Sequence, residues 1–335
     1  MSAEGGACDE ELTDWLDDVP THVEGYAFTT VTGVSEALEP RSLAEAKRGS
    51  DWLLWEKAIQ EELSTLQCAG TWKLVDAPKE TNIVGSKWVF RVKRGAAGNV
   101  VRYKARLVAQ GFSQIPSIDY FDTFAPVARL ASIRTVLVFA VAENFETGQI
   151  DIKGAYLNGE FTADETIYMR QPPSYQQGTM VCQLQKTLYS LKQSGHRWYQ
   201  RLVEIMMEMK FSRCEVDQVV FYRRDERKGI LIIVLVHVND CSIVASAQPL
   251  INQFKSGIKK HVEITDLGDL HWILGIEVRW IRESRKLLLS QCLYIDSILC
   301  RYGLDDLKPV SIPMDPNIKL MSAQSPSSTD DIAKM

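Results

Sequence analysis

"LVHVNDCSIV", residues 235–244, sets an Asn-Asp pair inside a short apolar run. A carboxylate is costly to bury alone among hydrophobes. Asp240 therefore caps a turn or faces something positive. The wider stretch "GILIIVLVHVNDCSIVAS", residues 229–246, is rich in β-branched residues. Such residues favour strands, and Asn tolerates a left-handed backbone. A β-hairpin bent at Asn239-Asp240 is the expectation.

A second apolar strand also carries an acid, Asp151 in "QIDIKGAY", residues 149–156. Two acids on buried strands from distant parts of a chain can meet on one sheet. Mg²⁺ takes oxygen ligands of this kind, one or two carboxylates plus substrate phosphates. Each acid could equally cap a turn or pair with a lysine such as Lys153. Structural carboxylates outnumber catalytic ones, so these two residues alone favour that plainer role.

Working outward, "SDWLLWEKAIQEELSTLQCAG", residues 50–70, predicts a helix. Ser50 or Asp51 caps it, Trp52, Trp55, Ile59, Leu63 and Leu66 form its apolar stripe, and Gly70 ends it. "TWKLV", "SKWVFRVKR" and "VVRYKARLVAQ" alternate like strands, with "GAAGN" turning between the last two. "TGQIDIKGAYLNG" reads as a strand entering a turn, and helices are expected near 130–142, 196–210, 249–261 and 291–302. The elements mix without a βαβ rhythm, which predicts an α+β fold with an antiparallel sheet.

Three further stretches carry possible chemistry. Between Ser86 and Phe112 lie Lys87, Arg91, Lys93, Arg94, Arg102, Lys104 and Arg106 with no acid, interleaved with Trp88, Phe90 and Tyr103. That mixture suits phosphate binding and base stacking, or simply a solvated hairpin face. In "LYSLKQSGHRWY", residues 188–199, Lys192, His196 and Arg197 precede an amphipathic helix. A helix start with nearby donors suits an anion, though ordinary surface charge is the commoner meaning. "TDLGDLHWILGIEV", residues 265–278, holds a strand beginning at a Gly, where another backbone can approach closely.

Bulk properties exclude several classes. The chain has 335 residues, 45% hydrophobic and 24% charged, ordinary for a soluble globular protein of two or three subdomains. A net charge of −5 does not advertise nucleic-acid binding, but a global sum can hide a local field. "MSAEGGACDEELTDWLDDVP" opens the chain with seven acids and no basic or apolar stretch, unlike a secretory signal. The longest apolar run, "ILIIVLV", is far below the roughly 18 residues of a membrane span. Seven scattered cysteines suggest reduced thiols in an intracellular protein, and no histidine has metal-ligand spacing. The expected location is cytoplasmic or nuclear, without secretion or a membrane.

Taken in order, these motifs resemble the reverse transcriptase of copia-type retrotransposons. The likeness runs over residues of about 38–316, from "EPRSLAEAKRGSDWLLWEKAIQEELSTL" through "RYKARLVAQGFSQIPSIDYFDTFAPVARLASIR", "QIDIKGAYLNGEF", "IYMRQPPSY" and "LYSLKQSGHRWY" to "HVND", "DLGDLHWILGIEV" and "LSQCLYIDSILCRYGL". It implies a right-hand polymerase: an acidic flexible tail at 1–35, an N-terminal helix and fingers at 36–145, a palm at 146–280, the start of a thumb or connection at 281–320, and a disordered tail at 321–335. It implies RNA-directed DNA polymerase activity in an element that undergoes DNA integration. The partners would be an RNA or DNA template with its primer and deoxynucleoside triphosphates, and the oligomeric state stays open. The implied cofactor is Mg²⁺, with Mn²⁺ as a substitute, held by Asp151 and Asp240. By the same resemblance Lys104 and Arg106 grip the triphosphate, Tyr156 crowds the sugar 2′ position, and Gln193 lines the nucleotide pocket. Leu274, Gly275, Ile276 and Glu277 form the strand that holds the primer end.

The chain departs from the family pattern in places. The family hairpin reads Tyr-Val-Asp-Asp, whereas this one reads His237-Val238-Asn239-Asp240. Asn239 takes the position of the second main metal ligand and lacks its charge. A neutral ligand compensates Mg²⁺ dehydration poorly. Ser190 stands where the family has Gly, and Gly195-His196 where it has Pro-Arg. The resemblance implies protease and integrase segments before these motifs and a ribonuclease H domain after them, so a truncated, partly degenerate copy is the expectation. Reduced or absent activity is therefore expected, and the alternative is a catalytically dead nucleic-acid-binding remnant. The core strands carry no Pro, so folding is expected to survive.

Overall fold

The computed structural model describes residues 39–94, 99–162, 164–304, 306–308, 321 and 325. The acidic N-terminal tail, most of the "GAAGN" turn and nearly all of the C-terminal tail lie outside the described residues. The chain divides into two units, Met1–Cys292 and Leu293–Met335.

The first unit opens with α1 (Leu43–Arg48), whose N-cap Ser42 side chain accepts from Glu45 N. Next comes α2 (Trp52–Cys68). Trp55, Ile59, Leu63 and Leu66 are buried along one face as their spacing predicts, and Trp52 packs partly against them. Gly70, at φ 64°, ends the helix. The expected cap is absent. Asp51 makes no capping bond, because its carboxylate accepts from the Tyr103 hydroxyl at 2.9 Å and from Ser50 at 3.2 Å.

β1 (Trp72–Val75), β2 (Ile83–Val84), β3 (Ser86–Arg94) and β4 (Val100–Ala109) follow. β3 and β4 form a separate antiparallel ribbon. Alternation sorts its residues. Trp88, Phe90, Val92, Ala105 and Leu107 enter a core with α2, while Lys87, Arg91, Lys93, Arg102, Lys104 and Arg106 share the opposite face. The interleaved aromatics are therefore core residues rather than base-stacking platforms.

α3 (Leu130–Ala142) and β5 (Glu146–Ile152) come next, then β6 (Tyr168–Met169) and β7 (Val181–Leu184). The order β1-β7-β6-β2 makes a four-stranded sheet. The chain continues through α4 (Ser194–Glu208), β8 (Ser212–Arg213), β9 (Val220–Asp225), β10 (Ile230–His237), β11 (Asp240–Ala245), α5 (Gln248–Ile258) and β12 (Ile264–Gly268). A six-stranded sheet runs β12-β5-β11-β10-β9-β8 with every pairing antiparallel. One face, with Ile150, Ile152, Val234, Val236, Cys241 and Ile243, packs on Trp198, Leu202 and Ile205 of α4 and Ile251 and Phe254 of α5. Each fully buried aliphatic side chain there contributes about 1.5–3 kcal/mol. The other face packs Val220, Leu235 and Val244 on Ile133 and Leu137 of α3.

β13 (Trp272–Ile273), β14 (Ile276–Ile281) and β15 (Lys286–Ser290) form a three-stranded antiparallel sheet whose Ile273 and Val278 join that second face. Leu274 (φ 52°) and Gly275 (φ 75°) make the two-residue turn between β13 and β14. Two left-handed residues match the right-handed twist of a hairpin. The strand thus starts at Ile276, not at the glycine. The second unit contributes one described helix, α6 (Cys292–Tyr302), which has no buried residue. The architecture is mixed α/β with several antiparallel sheets, as the absence of βαβ spacing predicted. Among the described residues no helix is long and apolar enough to cross a membrane.

Candidate active site

The β10–β11 hairpin turns at Val238-Asn239, with His237 opposite Asp240. The left-handed residue is Val238, at φ 58°, and not Asn239. A β-branched side chain is strained there, so the surroundings must impose it. They do so through two bonds. Trp198 Nε1 of α4 donates to Val238 O at 2.7 Å, and Ile152 N donates to Asn239 O at 2.8 Å. The turn is tied to a helix on one side and to β5 on the other.

That second tie sets the register. β11 pairs with β5 so that Asp240 lies directly opposite Asp151. Directly paired residues point to the same face with Cβ atoms about 4.5–5.5 Å apart. The Asn239 amide closes the group by donating from Nδ2 to Asp151 Oδ1. Burial pushes the Asp240 carboxyl up to about 6, and the neighbouring Asp151 charge pushes the same way. Two crowded acids at the end of a sheet favour a divalent cation. The donor set fits one to the extent of two carboxylates. Among the described residues no third His, Cys, Asp or Glu completes a cluster. Asn239 presents its amide N–H₂ to Asp151, so its carbonyl oxygen would face a cation only after the amide turned over.

His237 lies beside Asp240, and burial holds its imidazole below the usual range. It lines a cavity of about 20 Å³ with Gln149, Asp240, Ser242, Trp272 and Leu274. The cavity joins the β13–β14 turn to Asp240. Of the residues expected to hold the primer, Leu274 reaches this cavity, and Gly275 sits at the turn. Ile276 packs on the apolar face, and Glu277 lies opposite Trp272 and Ser290.

Tyr156 follows Asp151 in a 3₁₀ turn at Ala155–Asn158, after left-handed Gly154. Its ring meets Tyr189 edge-on at 5.8 Å. The Arg106 guanidinium stands 5.1 Å over that same Tyr189 ring. Tyr189 O also accepts from Ala109 N, which binds the end of β4 to this segment. Asp151 and Arg106 each bear on the titration of Tyr189 and of Lys93, so the cationic ribbon face adjoins the acid pair. Burial pushes the Lys104 ammonium down to about 8, and crowding by Arg106 and Lys93 adds to it. Lys93 belongs to the basic stretch read from the sequence, whereas Tyr189 was not singled out. Tyr189 was hidden because its partners, on β4 and in the Tyr156 turn, are far away in sequence.

Gln193, expected at the nucleotide pocket, is buried. It is 0% exposed, and its amide is committed at both ends. Nε2 donates to Asp119 O at 2.9 Å, and Oε1 accepts from Gln114 at 3.0 Å. In this arrangement it braces the start of α4 from inside. Two of the three donors read at the same helix start are engaged within the protein. Arg197 is spent on Glu165, Thr162 and Gln200, and His196 Nδ1 bonds Phe124 O at 2.6 Å. Ser190 sits at φ 70°, and its carbonyl lies where a Cβ on Gly111 would be. The position thus asks for glycine because of its backbone. A Cβ on Gly195 would meet only the Ala125 methyl at 3.4 Å, so that change is sterically mild.

Comparison with known proteins gives a consistent result. The family model described as reverse transcriptase (RNA-dependent DNA polymerase) matches residues 69–316. The retrovirus-related Pol polyprotein from transposon TNT 1-94 of Nicotiana tabacum is 37% identical over 313 residues, 92% of this chain and 23% of that protein. The corresponding polyprotein from transposon RE1 of Arabidopsis thaliana is 34% identical over 307 residues, 90% of this chain and 20% of its own length. An uncharacterised mitochondrial protein of Arabidopsis thaliana is 43% identical over 124 residues, 37% of this chain and 69% of that protein. The chain thus spans about a fifth of the length of the two polyproteins it matches.

Proposed function

The chain belongs to the reverse transcriptase (RNA-dependent DNA polymerase) family, and from that premise we propose RNA-directed DNA synthesis at the Asp151–Asp240 pair, impaired in this chain. The supporting observation is the in-register opposition of Asp151 and Asp240 beside a cationic ribbon. In this reading the six-stranded sheet is the palm, and the β3–β4 ribbon belongs to the fingers. Residues 281–320 begin a thumb or connection.

The substrates are a primer on an RNA or DNA template and a deoxynucleoside triphosphate. The primer 3′-oxygen bonds to the α-phosphorus, the bond to the β-phosphate oxygen breaks, and pyrophosphate leaves. The hydroxyl proton passes to solvent. Mg²⁺ or Mn²⁺, when bound, supplies Lewis-acid activation of the hydroxyl and neutralises the leaving group. Asp151 and Asp240 hold that charge in place. Lys104 and Arg106 orient the triphosphate, and electrostatic positioning of this kind is most of the catalysis. Tyr156, braced edge-on by Tyr189, excludes a ribose 2′-hydroxyl by contact. Leu274 and Gly275 bear on the primer end from the β13–β14 turn.

The impairment comes from Asn239. It brings no charge, and its N–H₂ occupies an Asp151 oxygen that a cation needs. Losing such a ligand costs at least about 10–100-fold. Primer extension on an RNA template with Mg²⁺ or Mn²⁺ tests this. The natural chain should extend slowly or not at all, and Asn239→Asp should gain about 10-fold or more. Full-rate extension by the natural chain would defeat the impairment. No gain in Asn239→Asp would move the defect to Ser190. The same amide contact favours a second reading, a remnant that binds nucleic acid without extending it. Salt-dependent binding to primer–template without synthesis in either chain would select that reading.

A further inference from the structure

The cationic face of the β3–β4 ribbon gathers six basic side chains within two strands. Among the described residues, the acids beside this face are fewer than its six cations, and Asp151 of the acid pair acts on Lys93. Glu39 pairs with Arg91, Glu61 with Arg102 at 2.9 Å, and Glu62 lies near Lys104 and Arg106. Lys104 is pushed down toward about 8 because burial and neighbouring cations disfavour its charge. An arriving anion would relieve that crowding.

The chain carries its own polyanion. Residues 1–38 hold nine acids and no Lys or Arg, leaving 38 basic against 34 acidic residues in the remainder. Seven of the nine fall between Glu4 and Asp18. The chain enters the described structure at Glu39, and Glu39 is bonded to the ribbon itself. Its Oε1 accepts from Val92 N at 2.8 Å, and its Oε2 pairs with Arg91. The acidic stretch is therefore tethered at the strand that carries the cations. Asp18 and Glu39 are about twenty residues apart, a span of up to about 70 Å at full extension. The ribbon is only about 30 Å long. A tether of this length puts the segment at an effective concentration of about millimolar.

We propose that residues 4–18 dock on the cationic face of the β3–β4 ribbon and compete there with nucleic acid. The docking rests on charge and connectivity alone. The competition rests also on the proposed polymerase reading. Nucleic acid must displace the segment to reach Lys93, Lys104 and Arg106. Short, nonspecific polyanions lose that contest, whereas a long primer–template, which also reaches the acid pair, wins it.

Zero-length carbodiimide coupling on the full chain, without nucleic acid, tests the docking. Amide crosslinks from the acids of residues 4–18 should map to Lys87, Lys93 and Lys104, and should vanish at about 0.5 M salt, where the Debye length is only a few ångströms. Crosslinks spread equally over Lys186, Lys228 and Lys286, or no crosslinks at all, would overturn it. The competition is read in the full chain with Asp9, Glu10, Glu11, Asp14, Asp17 and Asp18 changed to their amides. If the segment covers the ribbon nine-tenths of the time, this variant binds a primer–template duplex about tenfold tighter at low salt. Equal affinity of the two chains would sink the competition. Crosslinks with no duplex binding by either chain would leave the docking standing and remove the nucleic-acid reading instead.

Discussion

The ribbon and the six-stranded sheet crowd like charges of opposite sign. On the ribbon, burial and neighbouring cations push Lys104 down to about 8. On the sheet, burial and a neighbouring acid push Asp240 up to about 6. Each region is a half-made electrostatic site, one shaped for an anion and one for a cation. They differ in how the crowding arises. On the ribbon it follows from strand alternation across one local hairpin. On the sheet it follows from a register between strands almost ninety residues apart. A local device is tolerant of single losses, while a register of two acids is not.

That difference can be broken at the sheet with the largest effect. In the Asn239→Asp background, Asp151→Asn should lower single-turnover primer extension by about 10²–10³-fold or more, because no second acid replaces it. Retained extension would place the cation elsewhere. On the ribbon the losses are smaller and graded. Lys104→Ala or Arg106→Ala should weaken primer–template binding by about tenfold each and lower the salt slope by about one. A salt titration of binding measures both, and an unchanged slope would mean the ribbon is not the contact.

pH separates the regions by sign. Anion binding at the ribbon should weaken as pH rises past about 8, as the Lys104 ammonium loses its proton. Divalent-ion binding at the sheet should weaken as pH falls below about 6, as Asp240 gains one. Stability follows from linkage. The raised Asp240 carboxyl binds its proton more tightly folded than unfolded, so without divalent ions stability falls as pH rises from about 4 to about 6. Added Mg²⁺ should flatten that decline in urea unfolding, and an unchanged decline would argue against a cation at Asp240. The smallest effects test the backbone between the regions. Ser190→Gly should stabilise by about 0.5–1 kcal/mol by relieving φ 70°. Gly195→Ala, in the first turn of α4, should add about 0.5 kcal/mol. A rise in the urea midpoint at constant slope would report either gain.

The same contrast explains what could be read from the sequence. Period-two alternation located β3 and β4 and put their charges on one face, and the α2 stripe was legible from helical spacing. The hairpin at residues 230–245 was legible too, but not which of its turn residues is left-handed. Asn has the better intrinsic tolerance, and Val238 adopts the strained conformation because Trp198 and β5 hold the turn. Gln193 shows a similar limit. A polar residue in a motif looks available until burial is known, and here its amide is spent on Gln114 and Asp119. Tyr189 was unreadable because cation–π and edge-on contacts join residues with no sequence proximity.

Glu39 and Glu62 carry a last consequence. Among the described residues the β3–β4 ribbon joins no larger sheet, so amides on both long edges point away from the ladder. Val92 N on one edge is taken by Glu39, and Leu107 N on the other by Glu62. A charged carboxylate on an outward amide blocks the next chain from adding its backbone there. Alanine at both positions should leave the fold standing and promote self-association, read as a rise in light scattering on concentration.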